Sequence, residues 1–521
     1  MDIARIQEAV DLPSLTEFLG IQTQVGGEAL FNKTQQWISN PKTLEQRSQQ
    51  FRTLQHSLQD PLFAGRLLTS FASLKALEPD LEALTAKPSD LETEAFNELL
   101  FLKQWSIPFN FVPCLLMLWS ILRVYVFPGM AILMPVAMLI LPFIMIRFIF
   151  NLPITIGRYM GLLSAIFSGQ ITSLLAPPGA ELPPTPPSNP FDIFQLIKTG
   201  LLVGTIVQSF LQPYWTFKHL YAIDSIIQKK AEALVRLKEI YEEVRNQLEV
   251  HTYKMAKSPF APDITDPRQL VAIAHLHPIF LKYALQRLGA VEALVALARH
   301  PDLTAVRWLK DASPIMELTN AYDYRVDPAN RVSFDLTMNS VQSHALLTGP
   351  NRGGKSTTLR ALVASQLLAH TYGCAFASKA SMTPFQKLYV CLTPEDLPGK
   401  KSRFEREIEF TAHTIHSKQP NERSLVLLDE LYHSTNPPDA EKACDYYTRQ
   451  LWAQPNTLSI ISTHLFEFVE KAPTVVQRLC CPATVDGDEV VHYTYALVKG
   501  ICKVSSVKEL LVENKLLRST E

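Results

Sequence analysis

Through the first hundred residues apolar positions recur at helical spacing, as in Leu54, Leu58 and Leu62 among polar neighbours, so residues 1–106 read as an all-helical region. The pattern then loses its polar face. Ile107–Leu122 and Val124–Ile146 carry no charged residue, with Arg123 alone between them. Each run approaches the ~20 apolar residues that cross ~30 Å of hydrocarbon. Phe127-Pro128-Gly129 is a chain-reversal signal, so residues 107–152 are expected to form a transmembrane helical hairpin. Lys103, Arg147 and Arg158 would flank its base and Arg123 its tip, which puts both ends on the cytoplasmic side. A buried pair of core helices is the competing reading, but such helices usually keep a polar face. Thr199–Trp215 is also uncharged, but Gln208, Ser209, Gln212 and two glycines dilute it. An interfacial or buried helix is expected there, not a third span.

Ala176–Pro190, APPGAELPPTPPSNP, can be neither helix nor sheet and makes residues 153–190 a connector. Helical spacing returns over residues 191–310, most clearly in Ala222–Val250, where Ile226, Ala231, Leu234, Leu237, Ile240 and Val244 alternate with charged positions. Over residues 311–521 short apolar runs alternate with helical stretches: HALLTG, KLYVCL, SLVLLDE, TLSIIST. This rhythm predicts an α/β nucleotide-binding domain.

Composition narrows the picture. Apolar residues make up 47% and charged residues 19%, enough for a sizeable core. Lys and Arg number 49 against 50 Asp and Glu, so no basic surplus marks a dedicated nucleic-acid binder. The seven cysteines lack metal-ligand spacing and suit a reducing compartment as packing residues. MDIARIQEAVDLPSL has no signal-peptide core, so the N-terminus is expected in the cytosol.

Gly349-Pro350-Asn351-Arg352-Gly353-Gly354-Lys355-Ser356 satisfies G-x-x-x-x-G-K-[ST] between an expected strand and a helix opening at Thr357. In such a loop backbone N–H groups wrap the phosphates of ATP, Lys355 reaches the β and γ phosphates, and Ser356 binds Mg²⁺. Ser424–Glu430 is an apolar strand ending in two carboxylates. Asp429 suits the Mg²⁺ shell, and Glu430 suits polarising the attacking water. A second strand then delivers Thr463-His464, where the imidazole could sense the γ-phosphate.

In this order and spacing, GPNRGGKST, the S-x-F of SRFEREIEFTAHTIH, LVLLDE and STHLFE resemble the ATPase domain of the MutS mismatch-repair family, and the likeness runs on through Val491–Gly500. The resemblance implies an α/β P-loop NTPase of the ABC/MutS type, ATP and Mg²⁺ as cofactors, and a homodimer with two composite sites. It makes Ser402 the signature-loop serine that reaches the partner's ATP, and His464 the switch histidine. Upstream, Thr23–Gln55 is similar to the start of the family's lever domain at Gly26, Leu30, Trp37, Pro41 and Arg47. A lever starting there leaves no room for a mismatch-wedge domain, and Phe96-Asn97-Glu98 looks like that wedge only superficially. The hairpin would then stand where lever helices run out to a DNA clamp. The sequence departs from the family where Gly-Arg-Gly-Thr after the DE pair becomes Tyr432-His433-Ser434-Thr435, and where Arg403 replaces Thr.

Two functions compete. One is a membrane-anchored, dimerising MutS-like ATPase, its ATPase domain facing the cytoplasm and its nucleotide state coupled to the lever helices and an unidentified protein partner. The other is a membrane-tethered repair or recombination ATPase that binds DNA without mismatch preference. A transporter half fits poorly, because Ser168-Gly169-Gln170 precedes the phosphate loop and two spans form no pathway.

Overall fold

The computed structural model of the 521-residue chain describes residues 2–86, 88–168, 193–251, 253–260, 266–392, 402–419, 421–485, 491–514 and 516. The proline-rich connector and Gly169-Gln170 lie outside the described residues. The chain divides into two compact units, one of residues 1–78, 240–258 and 283–521, the other of residues 79–239 and 259–282.

The first unit is built on a six-stranded sheet of β1 (His344–Thr348), β2 (Lys387–Cys391), β3 (Ser424–Leu428), β4 (Thr457–Ser462), β5 (Val476–Cys480) and β6 (Val498–Lys499), in the order β6-β5-β1-β4-β3-β2. All pairings are parallel except β5 with β6. Every residue of β1, β3 and β4 is buried, as a parallel sheet covered on both faces requires. The helix Lys355–Tyr372 follows β1 and is itself almost wholly buried. Its far end is closed by Gly373 at φ 79°, whose N–H donates to the Leu368 and Ala369 carbonyls. The helix Pro41–Ser57 seals that end: Arg47 donates to the His370 and Thr371 carbonyls at 3.2 and 2.6 Å, and Ser48 Oγ to Gly373 O at 2.9 Å. A Cβ on Gly373 would meet the Ser48 nitrogen at 2.5 Å, so only glycine permits this contact. Trp37 stacks on His370 at 4.0 Å and donates its indole N–H to Phe385 O at 3.0 Å. Residues 23–55, which resemble the start of a lever, thus pack directly on the helix that follows the phosphate loop.

In the second unit the expected hairpin is not formed. Cys114–Ile149 is one continuous apolar helical stretch of 36 residues, buried at Leu116, Ser120, Val124 and Pro128 and mostly exposed beyond them, and among the described helices it is the one whose length and mean hydropathy alone mark a bilayer span. Phe127-Pro128-Gly129 does not reverse it. A π-helical turn, Leu122–Val126, immediately precedes Pro128, and Phe127 N–H donates to Leu122 O five residues back. The wider turn accommodates the proline's missing N–H and its ring, so the helix runs on. A second π turn, Met145–Ile149, follows Pro142. The first uncharged run is not a span either. Ile107–Phe111 is a 3₁₀ turn tied down by Asn110, which donates to Phe101 O and accepts from Phe101 N at 3.0 Å, while Gln269 donates to Asn110 O at 2.9 Å. Phe96 is a core residue 4% exposed, with His275 and the Lys230 ammonium against its ring. It is packed, not poised as a wedge.

Candidate ATP site

The phosphate loop is shaped by three left-handed or unusual backbone positions: Gly349 at φ 150°, Arg352 at 65° and Gly354 at 99°. A Cβ on Gly349 would lie 2.8 Å from Cys481 O, and one on Gly353 2.9 Å from Pro350 O. The loop is therefore closed around backbone, with Gly354 as N-cap of the helix that begins at Lys355. Pro350 and Gly353 are buried, Asn351 is exposed, and Ser356 and Thr357 lie half-buried in the helix's first turn. Lys355 is 5% exposed and donates Nζ to the Gly349 and Pro350 carbonyls at 2.9 and 3.0 Å. Burial lowers its pKa, and the carboxylates of Asp429 and Glu430 oppose that shift.

The two carboxylates sit at the C-terminal end of β3, where parallel sheets place their ligands. Asp429 is anchored through N–H to Cys391 O at 2.8 Å and through Oδ1 to the Ser462 hydroxyl. The same hydroxyl accepts the Glu430 N–H at 2.9 Å. One serine at the end of β4 therefore fixes both acidic residues. Glu430 takes φ 48°, which turns its side chain toward His464, whose Nε2 is 3.5 Å from Oε1. That hydrogen bond is the largest influence on Glu430 and lowers its pKa, followed by burial acting against it. The His433 ring lies 6.3 Å from that of His464.

Ser402 stands apart from this group. Its Oγ accepts the Glu405 N–H at 3.2 Å and its own N–H donates to Glu405 Oε2 at 2.8 Å, a capping box that starts the helix Arg403–His416. The side chain is exposed at that helix N-terminus, and its recorded bonds are to its own helix.

Sequence pattern passes over several contributors. Ser462 is a polar residue closing an apolar strand, and that placement is its signal. Glu407, Thr411 and Thr414 occupy one buried stripe of the helix Arg403–His416, where an amphipathic pattern would place apolar side chains. Glu407 is 4% exposed and pairs with Arg403 Nε at 3.5 Å; burial raises its pKa, and the neighbouring Ser434, Arg403 and Tyr432 act against that shift. Tyr432 reaches Thr411 Oγ1 at 2.6 Å. Tyr495, at φ 56°, places its ring beside Gly354 at the mouth of the loop.

With the phosphate loop, the paired carboxylates and the histidine converging on one sheet edge, residues 345–510 match the sequence family of MutS domain V. The match covers the strands and helices that build this site, and the C-terminal domain is a P-loop NTPase of an ATPase family.

Proposed function

We propose that this chain is a membrane-anchored, dimerising ATPase of the MutS type. The observation that carries the reading is the convergence of Lys355, Asp429, Glu430 and His464 at the ends of β1, β3 and β4. Gly349, Pro350, Asn351, Gly353, Gly354, Ser356 and Thr357 form the loop and first helical turn whose backbone N–H groups receive the triphosphate, at a helix N-terminus that favours its charge. Lys355 exchanges its two carbonyl partners for β and γ oxygens. Asp429 keeps one carboxylate oxygen on Ser462 and offers the other, together with the Ser356 hydroxyl, as a hard oxygen site for Mg²⁺, which is held by one or two carboxylates plus substrate phosphates. The metal supplies charge neutralisation on the phosphates. Glu430, kept ionised by His464, accepts a proton from the attacking water, and His464 is placed to respond to the γ-phosphate.

Ser402 completes the site of a second copy, as the family resemblance implies. Its hydroxyl at an exposed helix N-terminus is chemically suited to a phosphate oxygen across a dimer. The helix Cys114–Ile149 enters a bilayer, with the ATPase unit on the side that holds ATP. Coupling of nucleotide state to the second unit runs through chain connections. Of the four passages between units, at 78/79, 239/240, 258/259 and 282/283, three fall inside the helices Pro61–Thr85, Ile193–Val250 and Pro278–Arg299. A second reading, DNA binding by a tethered repair ATPase, is favoured by the domain V match alone.

The test is Glu430→Gln in the full chain. It should bind ATP, leave it intact and drive dimerisation, seen by sizing in detergent with radiolabelled nucleotide. Abolished hydrolysis without an ATP-dependent dimer would refute the composite site.

A further inference from the structure

The long helix Ile193–Val250 changes character along its length. Its C-terminal half is an amphipathic helix with buried Leu220, Ile223, Ile227, Leu234 and Leu237. Among its described side chains before Leu220 none is buried, and Leu201, Val203, Ile206, Val207 and Leu211 are all 47% exposed or more. Thr199–Phe217 carries no charge. At ~1.5 Å per residue this run extends roughly 29 Å, the thickness of a hydrocarbon core.

Its relation to the first apolar helix is fixed at one end. Ser120 Oγ donates to Asp224 Oδ1 at 3.1 Å, and Tyr125 lies 6.1 Å from Phe217 between ring centroids. The partner number falls as the first rises, so the two helices are antiparallel, and both uncharged runs leave the packed region from this level. The same level carries a girdle of amphipathic aromatics. Tyr125, Tyr214, Trp215 and Tyr221 are each about half exposed. The Lys218 ammonium sits 5.5 Å over the Trp215 ring, and Arg123 lies 5.5 Å over Trp119 while pairing with Glu98. Tyrosine and tryptophan with snorkelling cations mark a membrane–water boundary. Beyond this girdle the first helix is uncharged until Arg147 and the second, followed backwards, until Lys198. Two helices thus send charge-free runs, Val124–Ile146 and Thr199–Phe217, away from the same level. A soluble partner would require neither two charge-free runs of membrane-spanning length nor an aromatic rim.

We infer that Thr199–Phe217 is a second membrane-inserted segment, antiparallel to Val124–Ile146, with Tyr125, Tyr214, Trp215, Lys218 and Tyr221 at one lipid headgroup boundary. This rests on the proposed membrane anchoring and corrects its geometry: the inserted pair comes from helices distant in sequence, not from a hairpin around Pro128. Gln208 and Gln212 dilute the run without a charge, and a helix satisfies its own backbone in lipid.

The test is site-directed spin labelling of the full chain in phosphatidylcholine–phosphatidylglycerol liposomes, in a Cys114→Ala background, at Leu133→Cys, Val207→Cys and Val250→Cys. Oxygen partitions into lipid and a neutral nickel chelate into water, so their relaxation effects separate lipid, water and protein surroundings. The expected result is high oxygen and low nickel accessibility at 133 and 207, with the reverse at 250. Lipid exposure at 133 with nickel accessibility at 207 overturns the inference while the anchor stands. Low accessibility to both reagents at 207 also overturns it, because a second copy or another protein then covers that face. Nickel accessibility at 133 removes the anchoring itself.

Discussion

Tyr432→Gly tests what holds the turn behind Glu430. Tyr432 adopts φ 58°, a left-handed conformation that costs an L-residue ~1–2 kcal/mol and glycine almost nothing. The related family has glycine at this place, so relief of strain argues for stabilisation. Packing argues the other way. The ring is 1% exposed, meets Phe404 edge-on at 5.7 Å and belongs to the core with Leu431, Cys444 and Tyr447. Deleting a buried aromatic of this size costs ~3–5 kcal/mol. Thr411 Oγ1 already donates to the Glu407 and Ile408 carbonyls, so the tyrosine is the donor in its 2.6 Å bond to Thr411, and losing that bond costs ~1 kcal/mol more. Packing wins, leaving Tyr432→Gly destabilised by roughly 3 kcal/mol. Because a chain of two units does not unfold in one step, the assay is native-state hydrogen exchange at 403–416 and 431–435. Tyr432→Gly should lower protection there roughly 100-fold and Tyr432→Phe less than about tenfold. Hydrolysis should fall with the first variant, since Glu430 is two residues away, while ATP binding at Lys355 is spared. Equal or greater protection in Tyr432→Gly would show that strain, not packing, governs the turn.

Three further outcomes follow from the site. His464→Ala removes the hydrogen bond that depresses the Glu430 pKa; a depressed carboxylate contributes stability above its unfolded pKa and loses it as pH falls through the folded one, so the acid limb of the hydrolysis rate should move to higher pH, and an unmoved limb in steady-state profiles contradicts the pairing. Ser402→Ala should lose ATP-dependent dimerisation while monomer binding persists, at ~1 kcal/mol from the lost cap; Ser402→Asp restores the cap, so dimerisation by sizing that returns with Asp would assign the effect to helix stability alone. Duplex DNA with and without a mismatch should bind equally at physiological salt, where phosphate contacts are weak, and a preference above about tenfold, ~1.4 kcal/mol, in a titration contradicts the reading.

The phosphate loop and the DE pair were legible because their chemistry is local: a loop that must expose N–H groups needs glycines at particular places, and strand ends carry their acids in sequence. The residues that hold them are not local. Ser462 and Cys391 meet Asp429 only because β4 and β2 flank β3 in the sheet, an order that no strand's own pattern reveals. Glu407 and Thr411 look like ordinary members of a charged helix until the loop 431–435 is folded over them. A buried polar stripe at 407, 411 and 414 was the available sign, since a helix of that spacing would otherwise show apolar residues to its core.

The apolar region misled for a physical reason of its own. Proline followed by glycine reverses a chain when the backbone polar groups it frees can reach water. In an uninterrupted apolar stretch, helix is the state that satisfies most N–H and C=O groups internally, and a break costs several unpaired groups. One π turn costs less: it widens the ladder by a residue at Leu122–Val126 and carries the helix past Pro128. Pro135 and Pro142 are carried inside the α-helix Phe127–Ile144 itself, and a second π turn, Met145–Ile149, follows them. Local turn propensity was therefore overridden by the hydrogen-bond demand of the whole segment. The helix that packs on this stretch comes instead from the far end of the chain connection, where Phe217 and Asp224 meet Tyr125 and Ser120.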